Sequence, residues 1–391
     1  MSLIEMGENF EGPFKNIVKA FRDGNLLPIP NRRMQKCSNP KISIIISMYN
    51  EEKNAKSIIR SIQNQTLQEI EIICVNDNSN DKTLSILKSM QKEDSRIEII
   101  TNKTNRGVLY NRIYGALQSK GEYVTFVDAG DGLCNYDILI KAYDCATKDF
   151  GEKIDMIHFQ SCGCKIKDKG EMEPFYIFFT FNPNNFKKIL RQPEIGDNFC
   201  QKNNNITGSR FVFDKIYSRE LMIRVADYIG PQIWNQNLIL VDDFLLCFAC
   251  MKQTKSLVNI GEIGYWHKIE QETSTTSRVF DIDGNKFLLN PEKNNRKIGD
   301  YIIILGRILE LTDKEPQMAE LRENKLKELV QEQYLPSFAR SIHYDAFLRL
   351  YEKLYNWKYL NEEGKKRIKN YIKTILSYKI DPKKKFAHLL K

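Results

Sequence analysis

KISIIISMYNEE, residues 41–52, opens a stretch that runs to Gly132 and decides the fold of this chain. Four short apolar runs recur in that stretch at roughly even spacing: Ile42–Met48, Ile70–Val75, Ile97–Ile100 and Tyr123–Val127. Helical patterns lie between the runs, and the first of them places these residues on one face: Ala55, Ile58, Ile59 and Ile62. Continuous apolar strands that alternate with amphipathic helices predict a parallel sheet covered on both faces.

Polar residues follow three of the four apolar runs. They are Tyr49–Glu51, Asn76–Asp81 and Asp128–Asp131. Because ligands of such sheets bind outside the carboxyl ends of the strands, these clusters should meet at one edge. The pattern therefore predicts a site for a polar, anionic ligand.

Length and composition narrow the class of protein. The 391 residues leave room for a full enzymatic domain and an appendage. The longest strongly apolar run, Tyr301–Leu305, is far shorter than the ~20 residues that span a bilayer. Residues 1–31 lack the continuous apolar core of a signal peptide. With nine cysteines, this favours a cytoplasmic protein with free thiols, and Cys247 and Cys250 are predicted to be core residues.

The net charge of +9 comes largely from basic residues after position 360. Such a run is typical of a solvated face, and it also suits peripheral contact with an anionic membrane surface. Both alternatives stay open at this point. No nucleic-acid-binding motif accompanies the charge, so a nucleic-acid partner is not expected.

Four segments resemble motifs of the family 2 glycosyltransferases, which have the GT-A fold. Ile44–Glu52 resembles the opening of that family, and Val75–Asp81 resembles its V-N/D-D-G-S-x-D turn. Asn105–Gly115 is similar to N-x-G-x(4)-R-N-x-G, and Gly121–Asp131 to G-E/D-Y-I-x-F-L-D-x-D-D. The four segments occur in the family's order and at similar spacing. The resemblance is close over about 90 residues and looser up to about residue 275.

The resemblance implies a domain organisation. The expected fold is α/β of the GT-A type, a Rossmann-like and mostly parallel sheet with helices on both faces. It should occupy residues 41–275, with a nucleotide-binding half at 41–132 and an acceptor half at 133–275. Residues 1–40 are predicted to be a lead-in or linker, and residues 276–391 a helical, basic C-terminal extension.

The resemblance also implies a nucleotide-sugar donor, first of all a UDP-sugar. In the family pattern Asp77 binds the nucleoside, and Tyr49 and Glu51 line the same pocket. Asp128 contacts the ribose, and Arg112 neutralises or orients the donor's charge. Two alternatives stay open. The segment around Asp77 is also typical of a turn whose side chains bind their own backbone, and Arg112 also suits a helix surface.

The metal site departs from the family pattern. Asp128 keeps the first position of the D-x-D motif, but Gly130 stands at the second and Asp131 follows it. Glycine's freedom at positive φ would allow a bend that redirects Asp131 into the site. Asp131 and His267 are the predicted ligands of a Mn²⁺ or Mg²⁺ ion that bridges the donor phosphates. The alternative for His267 is a purely structural role.

The predicted general base is Asp243, in a segment that resembles the family's E-D-x-x-F motif. A carboxylate there would accept the acceptor's proton in a single displacement with inversion. Asp242 and Lys215 are expected on the acceptor side, where Lys215 orders the surrounding segment. The acceptor is expected to be a glycan or a lipid-linked sugar. The alternative is that both aspartates only complement the dipole of a helix start.

A different class of function stays open beside the enzyme. A sugar-nucleotide-binding or scaffold protein would keep the fold and lose catalysis together with the metal ligand at Gly130. The retained Asp128, Asp131 and Asp243 favour the enzyme. A nucleotidyltransferase would need a Gly-rich, basic loop after the first strand, and the chain has an aromatic residue and acids there.

Overall fold

The structure is a computed structural model, and it describes residues 34–166, 172–178, 187–192, 195, 211–238, 242–269, 291–312, 315, 362, 365, 366 and 369. The chain divides into two compact units, Met1–Gln271 and Glu272–Lys391. The domain boundaries expected near residues 40 and 275 remain predictions.

The described part of the first unit contains one sheet of ten strands. The strands are β1 (Ile42–Met48), β2 (Ile70–Asn76), β3 (Ile97–Thr101), β4 (Tyr123–Asp128), β5 (Gly132–Leu133), β6 (Met156–Ile166), β7 (Met172–Phe178), β8 (Leu190–Arg191), β9 (Lys215–Ser218) and β10 (Ser256–Ile269). Their order across the sheet is β3-β2-β1-β4-β9-β6-β10-β5, with β7 beside β6 and β8 beside β10. Helices pack against this sheet, so the α/β fold class expected from the pattern is confirmed.

The helices alternate with the strands along the first half of the chain. They are α1 (Ala55–Gln63), α2 (Thr83–Glu93), α3 (Val108–Gln118), α4 (Ile138–Thr147), α5 (Arg219–Ile229), α6 (Pro231–Trp234), α7 (Asp242–Gln253) and, in the second unit, α8 (Pro291–Thr312). The four apolar residues predicted on one face of α1 are all buried. The sequence pattern predicts a helix at Ser218–Asp227, and α5 starts there because the Ser218 hydroxyl accepts a hydrogen bond from Leu221 N at 3.1 Å.

The four predicted strands form the parallel half of the sheet, β3-β2-β1-β4. All seven residues of β2 are buried, as are six of seven in β1. Two-sided burial explains why these strands are continuous apolar runs instead of alternating ones. Because the strands are parallel, their carboxyl ends lie along the same edge of the sheet.

The second half of the sheet is mixed, and here one prediction was wrong. The apolar and aromatic residues of Arg210–Tyr217 predict a strand, but the strand is only Lys215–Ser218, and residues 211–214 are irregular. The 14-residue strand β10, beside β6, was not predicted as a strand. Its register shifts between Asn259 and Tyr265, a bulge that interrupts the period-2 pattern of its side chains.

Thiols and helices behave as predicted where the structure describes them. Cys247 and Cys250 are both buried in α7, and burial raises the pKa of the Cys250 thiol to about 12. In α8 of the second unit, Leu305 and Leu309 are buried. The apolar spacing at Tyr371 and Ile375 also predicts a helix, but these residues and most of the basic C-terminal run lie outside the described residues. Within the described part of the chain, no helix is long and apolar enough to cross a membrane.

A cluster of polar side chains lies inside the sheet, between β6, β9 and β10. The Asp214 carboxylate accepts a hydrogen bond from Lys215 Nζ and lies 3.3 Å from His158 Nε2. The other ring nitrogen of His158 faces the amide of Asn259. All four residues are fully buried. Burial and the neighbouring ammonium lower the pKa of His158. Burial alone would raise the pKa of Asp214, but the charges and hydrogen bonds of Lys215 and His158 outweigh burial and lower the pKa of Asp214 to about 2.

The cluster predicts a pH dependence of stability. In the unfolded chain His158 has its ordinary pKa of 6.5, whereas in the folded protein its pKa is lower. As pH falls below 6.5 the unfolded chain takes up a proton that the folded protein does not, so the free energy of unfolding should decrease, by up to about 1.4 kcal/mol per pH unit. Urea unfolding of the wild type at pH 7.5 and 5.5 measures this loss.

The matched variant is His158→Gln, which should lose less stability over the same pH interval, by about 1 kcal/mol or more. Asp214 does not interfere, because its carboxyl has an ordinary value of 3.8 and titrates below the interval. An equal loss of stability in wild type and variant would contradict the prediction.

Candidate active site

The polar clusters predicted at the strand ends do meet at one edge of the sheet. Strand β1 pairs with β2 and β4 in register, Met48 opposite Asn76 and Ser47 opposite Asp128. The segments after these strands therefore begin side by side. The edge is built by backbone pairing, so its geometry is fixed by the same apolar residues that form the core.

Asp77, which follows β2, is only 2% exposed and is bound by the chain itself. Its carboxylate accepts hydrogen bonds from Asn102 Nδ2 at 2.8 Å and from the backbone N–H groups of Arg106 at 2.8 Å and Gly107 at 3.0 Å. Gly107 has φ +83 and is close to the backbone of Leu238, so this loop is tightly constrained. Asp77 thus holds the loop before α3, and its direct contact with a nucleoside remains a prediction.

Tyr49 and Glu51 lie where predicted, just after β1. Tyr49 is 49% exposed, the largest exposure among the large apolar side chains of the described residues. Glu51 accepts a hydrogen bond from the Asn54 amide at 2.8 Å, and its backbone N–H donates to Thr83 at 2.7 Å. An exposed ring beside an anchored carboxylate suits one wall of a nucleoside pocket.

Arg112 projects from α3 into the edge of the sheet and is only 4% exposed, so the alternative of a helix-surface arginine was wrong. One guanidinium nitrogen donates to Asp128 at the end of β4, and another donates to Asp243 at the start of α7. The two carboxylates are each about one-third or less exposed. A single buried cation therefore joins the two aspartates that the sequence assigned to donor binding and to catalysis.

Asp243 stands in the first turn of α7, as predicted. Its carboxylate is bound to Arg112, and this partner was not predicted. Asp242 is the first residue of the same helix, and its side chain lies outside the described set. The dipole of α7 favours negative charge at this end, so the helix start stabilises either carboxylate.

The bend predicted at Gly130 is present. Gly130 has φ +99, and Asp131 N donates to Asp128 O at 3.1 Å to close the turn. The bend turns Asp131 inward, where it is 4% exposed. The following strand β5 pairs with β10, Leu133 opposite Tyr265, and this pairing brings Asp131 to β10.

Asp131 meets two rings of β10. Tyr265 Oη donates to its Oδ2 at 2.8 Å and accepts from Asp128 N at 3.1 Å. His267 Nδ1 lies 2.9 Å from the same Oδ2. Burial lowers the pKa of His267, but the hydrogen bond to Asp131 and the nearby carboxylates outweigh burial and leave this pKa raised. Burial, Asp131 and Asp128 raise the pKa of Tyr265, so its hydroxyl remains a donor.

The donor set fits a metal ion that takes most of its ligands from a nucleotide. No group of three or more His, Cys, Asp or Glu side chains that would hold an ion occurs within the described ranges, so an all-protein cage is not supported there. The 2.9 Å between Asp131 and His267 suits two ligands of one ion at about 2.1 Å each. Ions that bridge diphosphates commonly use only one or two protein ligands.

Lys215 does not reach a surface that an acceptor would touch. It is fully buried in β9, and its ammonium donates to Asp214 and to Phe211 O at 2.7 Å. Direct contact with an acceptor is therefore not supported. An indirect role remains, because Lys215 fixes the irregular segment 211–214.

Two residues of the site were missed from sequence. Tyr265 links Asp128 to Asp131, and Phe213 stacks on Tyr265 with ring centroids 4.3 Å apart. The sequence could have pointed to Tyr265, because it lies two residues before the predicted ligand His267 and residues two apart on a strand share a face. Phe213 lies outside the helices and strands, so no helical or strand periodicity in the sequence could predict which way its side chain points.

The architecture is that of the GT-A class. A solved structure titled "Crystal structure of S. aureus TarS 1-349 in complex with UDP-GlcNAc" superposes with a TM-score of 0.56 and 18% sequence identity. The match covers 86% of this chain and 91% of that chain. At this identity the likeness establishes the fold.

Two curated relatives extend the comparison. The chain is 40% identical over 95 residues to the GalNAc(5)-diNAcBac-PP-undecaprenol beta-1,3-glucosyltransferase of Campylobacter jejuni. This match covers 24% of this chain and 31% of that protein. It is 26% identical over 251 residues to the cholesterol galactosyltransferase of Borreliella burgdorferi, 64% of this chain and 66% of that protein. The matched segment thus spans about a third of the first relative's length.

Residues 43–206 match the family described as glycosyl transferase family 2. The resemblance stated from the four motifs is thus confirmed for this part of the chain.

The bend at Gly130 generates a paired prediction. Gly130 and Gly151 both have positive φ, +99 and +67, and a Cβ at either would meet no atom within 4 Å. Alanine at either position should therefore cost only backbone strain, about 1–3 kcal/mol of unfolding free energy. Only Gly130→Ala should also displace Asp131, and it should weaken Mn²⁺ binding in the presence of UDP by about tenfold or more.

Thermal unfolding and isothermal titration with Mn²⁺ measure the two effects. Gly151→Ala is the control, because Gly151 lies between α4 and β6, in the loop that leads into the amino end of β6. Equal Mn²⁺ affinities in the two variants would show that the bend does not place a ligand.

Proposed function

We propose that this protein is an inverting glycosyltransferase that uses a nucleotide-sugar donor, a UDP-sugar first. The observation that carries the proposal is the convergence of Asp128, Asp131, Asp243 and Arg112 at the carboxyl edge of the sheet. Three carboxylates and one guanidinium at a strand edge suit a substrate that carries both a diphosphate and a hydroxylated sugar. The family match of residues 43–206 supports the same reaction class.

The donor would lie across the ends of β1, β2 and β4. Tyr49 offers an exposed ring for the base, and Glu51 lies in the same segment. Asp77 contributes by holding the Arg106–Gly107 backbone in place, and its own contact with the nucleoside is part of the proposal. Asp128, at the end of β4, is assigned to the ribose.

Arg112 would change partners when the donor binds. In the structure it is shared between Asp128 and Asp243. A diphosphate is a stronger competitor for a guanidinium than a single carboxylate, because it offers more oxygens and more charge. When Arg112 turns to the diphosphate, Asp243 loses its cation and becomes available as a base.

The chemical step would then be a single displacement. The acceptor hydroxyl oxygen forms a bond to the anomeric carbon while the bond from that carbon to the diphosphate oxygen breaks. The hydroxyl proton passes to Asp243, and the nucleoside diphosphate leaves with the electron pair. Attack from the side opposite the leaving group inverts the anomeric configuration.

Asp131 and His267 would hold the Mn²⁺ or Mg²⁺ ion. Such an ion, when bound, neutralises charge on the departing diphosphate. Tyr265 keeps the Asp131 carboxylate oriented through its 2.8 Å hydrogen bond. This assignment rests on the two-ligand fit described above.

The proposed acceptor is a glycan or a lipid-linked sugar. The name of the Campylobacter jejuni relative supports this class, since it contains an undecaprenol-linked glycan. Lys215 and Asp242 are assigned to the acceptor side, Lys215 only through the segment 211–214 that it anchors. Contact with an anionic membrane surface is part of this proposal, through the basic C-terminal run.

A donor screen tests the function. Purified protein should hydrolyse one or more nucleotide sugars slowly in the absence of acceptor, with UDP-sugars ahead of others and with faster turnover in Mn²⁺. The measurement is release of nucleoside diphosphate, with and without a chelator. If no nucleotide sugar is hydrolysed although UDP binds, the non-catalytic sugar-nucleotide-binding alternative is favoured.

Asp243→Asn keeps the shape of the side chain but cannot accept a proton. Turnover should fall by roughly 10²-fold or more, since general-base catalysis contributes about 10²–10⁴-fold. Donor affinity should change little, because the diphosphate and not Asp243 is then the partner of Arg112. The matched variant is Asp242→Asn, which changes the adjacent residue in the same turn of the helix. A damaging Asp242→Asn with a mild Asp243→Asn would reverse the two roles.

A further inference from the structure

The irregular segment 211–214 is attached to the sheet by buried polar groups at several points. Lys215 Nζ donates to Phe211 O at 2.7 Å, and Tyr217 Oη donates to Val212 O at 3.0 Å. The backbone of Asp214 accepts from Phe159 N at 3.0 Å. Three of the four carbonyl groups of a segment without regular pairing are thereby fixed.

The attachment depends on the buried charges described above. The Lys215 ammonium is neutralised by Asp214, which also faces His158. Removing either Asp214 or Lys215 alone would leave an uncompensated charge in the interior, which is strongly unfavourable. The cluster is fully buried, and Lys215 connects it to the irregular segment through its hydrogen bond to Phe211 O.

What the segment presents to the site is an aromatic ring. Phe213 is 2% exposed and stacks on Tyr265, with centroids 4.3 Å apart and an interplanar angle of 13°. It also stacks on His267, at 5.7 Å and 10°. Phe211 stacks on Phe213 at 4.9 Å and 16°. One ring therefore covers the two rings that contact Asp131.

We propose that Phe213 is a positioning residue, which holds the imidazole of His267 in the orientation that faces Asp131. The inference rests on the proposed function only for its metal-binding consequence. A ring on a strand end has two roughly equivalent flips about its terminal torsion. Parallel stacking on Phe213 keeps the plane of the imidazole, and the hydrogen bond to Asp131 selects the flip. Loss of the stacked ring should leave the plane free to rotate.

The direct test is the imidazole signal of His267. The chain has four histidines, so ¹⁵N-histidine labelling gives few signals, and a His267→Gln variant assigns the relevant one. At a fixed pH, metal-free wild type should show a single narrow set of His267 signals. Phe213→Leu should show broadened or doubled signals, because the imidazole no longer has one orientation. Unchanged His267 signals in Phe213→Leu would overturn the proposal.

Two further variants keep the test decisive. Phe248→Leu removes a fully buried phenylalanine ring of α7 that packs against Tyr228, with ring centroids 6.5 Å apart, and it should leave the His267 signals unchanged. Equal broadening in Phe248→Leu would mean general loosening and would overturn the proposal. If Phe213→Leu does not fold, Phe211→Leu serves instead, since it removes the ring behind Phe213 and should broaden the same signals.

Mn²⁺ titration in the presence of UDP separates this inference from the proposed function. Phe213→Leu should weaken Mn²⁺ binding by about 10–100-fold, the usual effect of losing support behind a metal ligand, and Phe248→Leu should not. If the wild type itself does not bind Mn²⁺ with UDP, the metal assignment fails. The His267 signals still decide the role of Phe213 in that case.

Discussion

Arg112 is buried where the sheet ends, and a buried guanidinium must keep anionic partners because an unpaired charge in the interior costs several kcal/mol or more. Its partners are Asp128 on β4 and Asp243 on α7, two elements that are not otherwise close in sequence. The ion pairs therefore fix the start of α7 relative to the strand edge. The placement of Asp131 and His267 follows from the end of β4 and from β10.

The site and its support use different physical means. At the edge, Asp128 and Asp243 are partly exposed to solvent, and in the proposed mechanism a donor would take Arg112 from them. Behind the edge, Lys215, Asp214 and His158 are fully buried and bound to one another. The uncharged ring of Phe213 lies between the buried cluster and the edge, where it stacks on Tyr265 and His267. This arrangement allows the edge to change its ion pairs while the ligand-facing rings stay in place.

The sequence was informative where local pattern and structure coincide. The runs Ile42–Met48 and Ile70–Val75 could be predicted as strands because two-sided burial leaves a continuous apolar signature. The bend at Gly130 could be predicted because glycine adopts positive φ without steric cost and Gly130 stands between the carboxylates of Asp128 and Asp131. By contrast, the pairing of Arg112 with Asp243 joins residues 131 positions apart, and no local pattern reports such a contact. The irregular segment 211–214 was predicted as strand because its aromatic residues have β propensity, and buried hydrogen bonds to Lys215 and Tyr217 override it.

The distance along the chain between Asp131 and His267 is 136 residues, and it sets when the site can exist during synthesis. The parallel strands up to β4 are complete once residue 128 has left the ribosome, and the loop held by Asp77 can already form. Strand β10 emerges only after more than a hundred further residues, roughly 10 seconds later at about 5–20 residues per second. Until then the nascent chain has Asp128 and Asp131 but not His267. The predicted ligand pair therefore cannot form before β10 has joined the sheet, so in the proposed enzyme the order of translation would delay metal binding until the fold is complete.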